Sequence, residues 1–302
     1  MLFRCAPPMK HRSLNSAAKG ILAKTLVLSF AIVSLAALVH AAEPLDTPAL
    51  LRAADTALKS GKPAEAIKLA DKILAADPKD FRALFLRGRA QEEAKNSAKA
   101  IADYDASLKS NPKATIVFQK RGELHFKLGN FAESIADFDK FIEAMPEQAP
   151  HHWQRGISLY YAGRFEDGRK QFESHQNVNP YDVENAVWHF LCVARATTPE
   201  KAKAALIPIE RDSRIPMMQI LALFGGKAKP DDVIAAAKTG SVAQQENQLF
   251  YAHLYLGLYF EAIGDAKLAR EHILKAATDF KAEHYMGDVA RVHAQVLRKQ
   301  SK

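Results

Sequence analysis

Arginine and aspartate recur at a fixed interval in this 302-residue chain, and their pairing is the first chemistry that the sequence offers. Arg87, Arg121 and Arg155 stand in one series, and Asp103, Asp137 and Gln171 in another, always the same distance behind. One unit earlier the corresponding residues are Ala53 and Leu69. Apolar therefore faces apolar in the first unit, arginine faces aspartate in the next two, and arginine faces glutamine in the fourth. The expectation is that Arg87–Asp103 and Arg121–Asp137 are structural ion pairs, semi-buried between two helices, where loss of one partner is costly.

Motifs for catalysis are missing. His151 and His152 are adjacent and diverge by about 100° on a helix. Glu271-His272 and Glu283-His284 lack a second histidine at helical spacing, so no His-Glu-x-x-His zinc motif is formed. Gly225-Gly226-Lys227 lacks the spacing of a phosphate loop, and no Gly-x-Ser-x-Gly elbow occurs. No catalytic residue, metal or cofactor is expected, and the chain reads as a non-enzyme. Cys192, inside Trp188-His189-Phe190-Leu191-Cys192-Val193, reads as a buried, inert thiol. With Cys5 the only other cysteine, near the N-terminus, no disulfide framework is indicated.

The elements that position these residues follow from a period. Pro78, Pro112, Pro146 and Pro180 each close a segment of one length with one internal pattern. With position 1 at Thr47, Phe81, Thr115 and Ala149, position 8 reads Ala54, Gly88, Gly122, Gly156. Position 15 reads Gly61, Lys95, Gly129, Gly163, and position 20 reads Ala66, Ala100, Ser134, Gly168. Position 24, a large apolar plug, reads Ala70, Tyr104, Phe138, Phe172. Small residues where helices approach and glycine at the turn define a helix–turn–helix unit. On these columns, residues 47–180 are identified as members of the tetratricopeptide-repeat (TPR) family, whose period is about 34 residues. The resemblance implies an all-α fold, a right-handed superhelical solenoid of stacked helix pairs.

The chain divides accordingly. Residues 1–41 carry Arg4, Lys10, Arg12, Lys19 and Lys24, then an apolar run from Thr25 to Val39 and a Val39-His40-Ala41 cleavage site. This is the order of a secretory signal peptide. The alternative is an uncleaved anchor, with membrane contact only through residues 21–39, although the run is short for a span. Export follows in either case, to the periplasm or envelope of a bacterium. Without these residues the net charge falls from +8 to +3, too mild for a nucleic-acid partner. A linker occupies 42–46, four regular repeats 47–180, irregular helical pairs 181–242, a final repeat 243–282, and a capping helix with its tail 283–302. Helices are expected at Val183–Ala196, Pro199–Arg211, Ile215–Phe224, Asp231–Lys238 and Glu283–Arg298. Asp288, Arg291, Gln295 and Arg298 would give the last helix a polar outer face.

In TPR solenoids the first helix of each pair lines the inner surface. By that resemblance Arg82, Phe85, Arg89, Gln119, Glu123, Phe126, Lys127, Trp153, Tyr160 and Tyr161 form a partner-binding groove, with the strongest contact at Trp153, Tyr160 and Tyr161. The other reading of these aromatics is core packing. The lysine and asparagine set with which some TPRs hold a terminal carboxylate is absent, since position 5 reads Leu51, Phe85, Gln119, Trp153. A narrower likeness lies in 151–191, from His151-His152-Trp153-Gln154-Arg155-Gly156 to Trp188-His189-Phe190-Leu191, and in Leu256-Gly257-Leu258-Tyr259 with Gly264-Asp265. These resemble the new lipoprotein I family of outer-membrane TPR lipoproteins, without its lipidation cysteine. That family implies a homodimeric periplasmic adaptor, presenting envelope hydrolases that cut peptidoglycan to a protease. The alternative function is a glycan-binding solenoid that stacks sugars on Trp153, Tyr160 and Tyr161.

Overall fold

A computed structural model describes residues 45–300. The leader expected at 1–41, Cys5 within it, and the start of the 42–46 linker lie outside the described residues. Eight helices form four pairs: α1 (Thr47–Lys59) with α2 (Pro63–Ala76), α3 (Phe81–Glu93) with α4 (Ser97–Ser110), α5 (Thr115–Lys127) with α6 (Phe131–Ala144), and α7 (Trp153–Tyr161) with α8 (Phe165–Gln176). Caps fix where the first two pairs begin. The Asp46 carboxylate accepts from Ala49 N at 2.9 Å, and Asp80 accepts from Arg82 N and Ala83 N at 2.9 and 3.0 Å. A 3₁₀ turn over Pro146–His151 replaces the first turn of the fourth pair, so α7 starts at Trp153.

Between the helices of a pair the chain turns through one left-handed residue. Gly129 and Gly163 take this place with φ of 79° and 75°. Lys95 takes it in the second pair with φ of 63°, where an L side chain crowds its own carbonyl. Packing within each pair then follows a size rule. A Cβ built on Gly122 would lie 2.8 Å from the Phe138 ring, and one on Gly156 would lie 2.6 Å from the Phe172 ring. Aromatic plugs at position 24 thus need glycine at position 8, whereas Ala54 accompanies the small Ala70 and both are fully buried.

The arginines do more than pair within a repeat. Arg87 Nε and Nη2 donate to Asp103 Oδ2 and Oδ1 at 2.9 and 2.7 Å, while Nη1 donates to Asp71 at 2.8 Å. Arg121 repeats the fork on Asp137, at 2.8 and 2.6 Å, and reaches Asp105 at 2.5 Å. Arg155 donates to Asp139 at 2.6 Å and to Gln171 at 3.2 Å. Asp71, Asp105 and Asp139 belong to the preceding pair, so each guanidinium joins three helices and two repeats. The position-25 column Asp71, Asp105, Asp139, Glu173 was there to be read in the sequence. Its last member faces His189 at 3.4 Å, which extends the ladder onto the next helix.

Beyond Pro180 the pairs become uneven. Helices α9 (Val183–Ala196), α10 (Pro199–Ala204), α11 (Met217–Phe224), α12 (Pro230–Ala237), α13 (Val242–Ala262), α14 (Ala266–Thr278) and α15 (Tyr285–Gln300) follow in order. The helix expected over Pro199–Arg211 ends early, at Ala204, because Pro208 disfavours helical backbone at Ile207 and supplies no amide proton. Cys192 is fully buried and a Cβ on Gly168 would meet its sulfur at 2.8 Å; burial pushes the thiol well above its ordinary range. None of the described helices is long and apolar enough to cross a membrane.

Two stability outcomes are expected. Asp137→Ala strips Arg121 of its forked partner and leaves only Asp105, so urea unfolding should show a loss of about 3 kcal/mol; the double replacement Arg121→Met with Asp137→Leu should lose less. Lys95→Gly relieves the left-handed strain and should raise stability by about 0.5–1 kcal/mol, read as a higher melting temperature.

Candidate functional site

The first helices of the pairs form the inner layer: α1, α3 and α5 lie side by side, α7 contacts α9, and α9 contacts α13. The last helix does not simply cover the end of the stack. It lies against α5 as well as α14, and so closes back onto the third repeat.

This return changes the groove. The Phe126 ring stacks on Tyr285 at 5.2 Å between centroids, and Trp153 meets the same ring edge-on at 5.0 Å. Tyr161 packs on Phe126 and Phe131 at 5.6 and 5.3 Å, and its hydroxyl shares a 2.9 Å hydrogen bond with His293 Nδ1. Tyr160 packs edge-on against Trp188 at 5.4 Å. Phe126 and Tyr160 are buried, and Trp153 and Tyr161 are half-buried. The aromatics expected to give the strongest partner contact are therefore held mainly by the protein's own side chains. Helical spacing places a residue on the inner side, but it does not say whether solvent or another helix lies opposite.

Polar groups make the same junction. Lys127 Nζ lies 2.7 Å from Glu92 on α3 and 3.4 Å from Asp288 on α15. Burial alone would depress this ammonium, but Glu92 and Asp288 outweigh that and hold its pKa above the usual range. Asp288 and Arg291 pair with each other at 2.7 Å and Arg291 also donates to Ala282 O; of the polar face expected to meet solvent, Asp288 is half-buried, while Arg291, Gln295 and Arg298 are exposed. A cleft of about 350 Å³ remains between the two parts, bounded by Glu92, Lys95, Lys127, Asp288, Arg291 and Gln295.

The N-terminal half of the inner layer stays open. Arg82 is exposed, with its guanidinium on Asp80 at 2.9 Å. Phe85 is half-buried with Arg89 over its ring at 5.9 Å, and Arg89 also reaches Asp55 of the first repeat at 3.2 Å. Gln119 donates to Glu123 at 2.9 Å, and Lys120 pairs with the other Glu123 oxygen at 2.7 Å. The sequence reading missed α15 as an occupant of the layer. A signal was present: Tyr285, Val289 and His293 fall on one stripe, while Met286, Ala290 and Ala294 form a second, and a simple end cap needs only one apolar face.

His152 joins the two halves. It is 4 % exposed, its Nδ1 accepts from Arg155 N at 3.3 Å, and its Nε2 donates to Gln119 Oε1 at 2.7 Å. Burial depresses its pKa to about 4. An unfolded histidine titrates near 6.5, so the unfolded chain binds the proton first. The stabilisation is complete above the unfolded value and is lost as pH falls from there toward 4. At pH 5 the loss from this residue should be roughly 2 kcal/mol. Burial also depresses His253 to about 4, so chemical denaturation at pH 7.5 and pH 5 should show a larger total drop, and His152→Gln should reduce it by roughly 2 kcal/mol.

Comparison with known proteins agrees with this architecture. The family described as tetratricopeptide repeat matches residues 51–115 and 120–176. No curated protein matches the sequence. Among solved structures, a tetratricopeptide repeat protein from Parabacteroides merdae is similar at 15% identity with a TM-score of 0.55, covering 83% of this chain and 98% of that one. MamA from Desulfovibrio magneticus is similar at 18% identity with a TM-score of 0.48, covering 53% of this chain and 90% of that one. The likeness to the Parabacteroides merdae protein, at 15% identity, speaks to the fold alone. With the repeat columns, the size rule at positions 8 and 24 and the paired helices all in agreement, the segment from 51 to 176 is built of tetratricopeptide repeats.

Proposed function

We propose that this protein is an exported scaffold that holds a segment of a partner protein on the inner face of α1, α3 and α5. The observation that carries this reading is the contrast within the inner layer. Its C-terminal part is filled by α15, while Arg82, Phe85, Arg89, Gln119 and Glu123 keep a reachable, charged surface with one aromatic at its centre. Arginine and aromatic side chains are the residue types that dominate binding energy at protein interfaces. The neighbouring cleft gives that surface an end wall, with Lys127 and Asp288 at its base. A fixed groove whose charges are already paired needs little reordering when a partner docks, and that lowers the cost of association.

Export rests on the basic and apolar leader at 1–41, and the envelope setting rests on the narrower sequence likeness at 151–191 and 256–265. In that setting the partners are enzymes that cut or process peptidoglycan, and the protein brings them together, with a homodimer as the implied assembly. The glycan-binding alternative needs Trp153, Tyr160 and Tyr161 as open stacking platforms, and their main contacts are with α15, α5 and α9 instead.

Photo-crosslinking in cells tests the scaffold reading. A crosslinker at Arg89 or Glu123 should capture the same envelope protein, and one at the exposed outer residue Lys72 should not. Equal capture from all three positions, or none from Arg89 and Glu123, would overturn it. N-terminal sequencing of the chain from the periplasmic fraction should begin at Ala42.

A further inference from the structure

A second concavity, on the far side of Tyr285 from the open groove, carries a different chemistry. It has a volume of about 340 Å³ and lies where the N-terminal ends of α7, α9 and α15 meet the first half of α13. Its walls are aromatic. Trp153 and Tyr285 meet edge to face at 5.0 Å, Tyr251 and His284 stack at 5.7 Å, and Trp188 stacks on Phe172 at 6.4 Å.

One end of the cavity is acidic. Arg214 lies there and pairs with Asp182 at 2.6 Å, Glu184 at 2.5 Å and Asp212 at 2.6 Å. Asp182 and Glu184 line the cavity beside this guanidinium, Asp212 holds it from outside the lining, and His175 stands 3.8 Å from Asp182, so the donors of Arg214 already face carboxylates. The first two amides of α9 are already taken, since Val183 N donates to Asp212 at 3.3 Å and Glu184 N donates to Asp182 at 3.1 Å. Three buried polar atoms on the wall residues have no hydrogen-bond partner: Asn185 Oδ1, Trp188 Nε1 and the Tyr285 hydroxyl. Asn185 and Trp188 are 3 % and 2 % exposed. Native proteins seldom leave such groups unpaired, and a site for a ligand or water is one reason that they do.

Aromatic faces attract cations through their quadrupole, most strongly where water is excluded. An excess of carboxylate at the base adds a second attraction of the same sign and disfavours anions. We propose that this cavity is a socket for a lysine or arginine side chain of the bound partner, with its cationic head toward Asp182 and Glu184 and its aliphatic stem between Trp153, Tyr251 and Tyr285. This assignment rests on the protein-binding reading above and adds to it the residue type that the partner must present.

The two tryptophans of the chain, Trp153 and Trp188, both line this cavity, so intrinsic fluorescence reports on it directly. The test is a titration of the full chain with N-acetyl-arginine amide, N-acetyl-lysine amide, N-acetyl-glutamate amide and spermidine. The two cationic amides should give a saturable change that weakens with added salt, and the glutamate derivative should give none. Glu184→Gln and Tyr251→Leu should each weaken the cationic response about tenfold, with circular dichroism confirming that both variants remain folded. Two variants are used because Glu184 also accepts from the Tyr255 hydroxyl at 2.5 Å. An equal response to the glutamate derivative, or no response to either cationic amide, would overturn the proposal. Binding of spermidine alone would overturn the side-chain assignment by giving the socket to a free polyamine. The outcome is separable from the scaffold test: capture from Arg89 without a cationic response removes the socket only, and a cationic response without capture removes the inner face of α1, α3 and α5 as the docking surface while leaving the cavity a cation site.

Discussion

A guanidinium placed every 34 residues holds this structure in register. Arg87, Arg121 and Arg155 each lie between their own second helix and the second helix of the repeat before. Apolar packing between two helices tolerates sliding by a turn, because ridges and grooves repeat along a helix. A planar donor fork that must meet carboxylates on two separate helices does not. The pairs are partly buried, so their net stabilisation is modest beside the desolvation they require. Their contribution is orientation: they set the angle at which one repeat meets the next, and the inner layer inherits its curvature from that angle.

The last helix then converts a repeating surface into two unlike halves. A solenoid buries its core between neighbours, and each repeat contacts only the next. Here α15 breaks that rule by reaching α5, and the aromatic cluster of Phe126, Trp153, Tyr161 and Tyr285 is the result. Residues at equivalent repeat positions thereby acquire different roles. Phe85 and Trp153 share position 5, yet one lies in the open layer and the other at the junction with α15. The junction also separates the charged groove on the N-terminal side from the aromatic cavity on the other, so the two concavities are products of one closure.

Much of the fold was legible because repetition multiplies weak local signals. A single Gly–aromatic match means little, but Gly88–Tyr104, Gly122–Phe138 and Gly156–Phe172 state one rule three times. The intra-repeat pairs were legible for the same reason. The bridge to the preceding repeat was overlooked, although its column of Asp71, Asp105, Asp139 and Glu173 is as regular. The middle of the chain gave less. Pro208 warned of a break, but the stop at Ala204 depends on how residues 205–216 leave the helix to bring Arg214 beside Asp182 and Glu184.

By itself the sequence determined the unit: its length, its two helices, its turn, its glycine–aromatic contact and its arginine fork, since all of these involve residues close along the chain or one period apart. Only the tertiary structure decided which inner residues meet solvent. Tyr161 and His293 are 132 residues apart, and Lys127 and Asp288 are separated by a comparable stretch. No periodic pattern links such pairs. Their meeting depends on the summed rotation of every intervening repeat, to which each packing angle adds a small increment that local sequence does not encode.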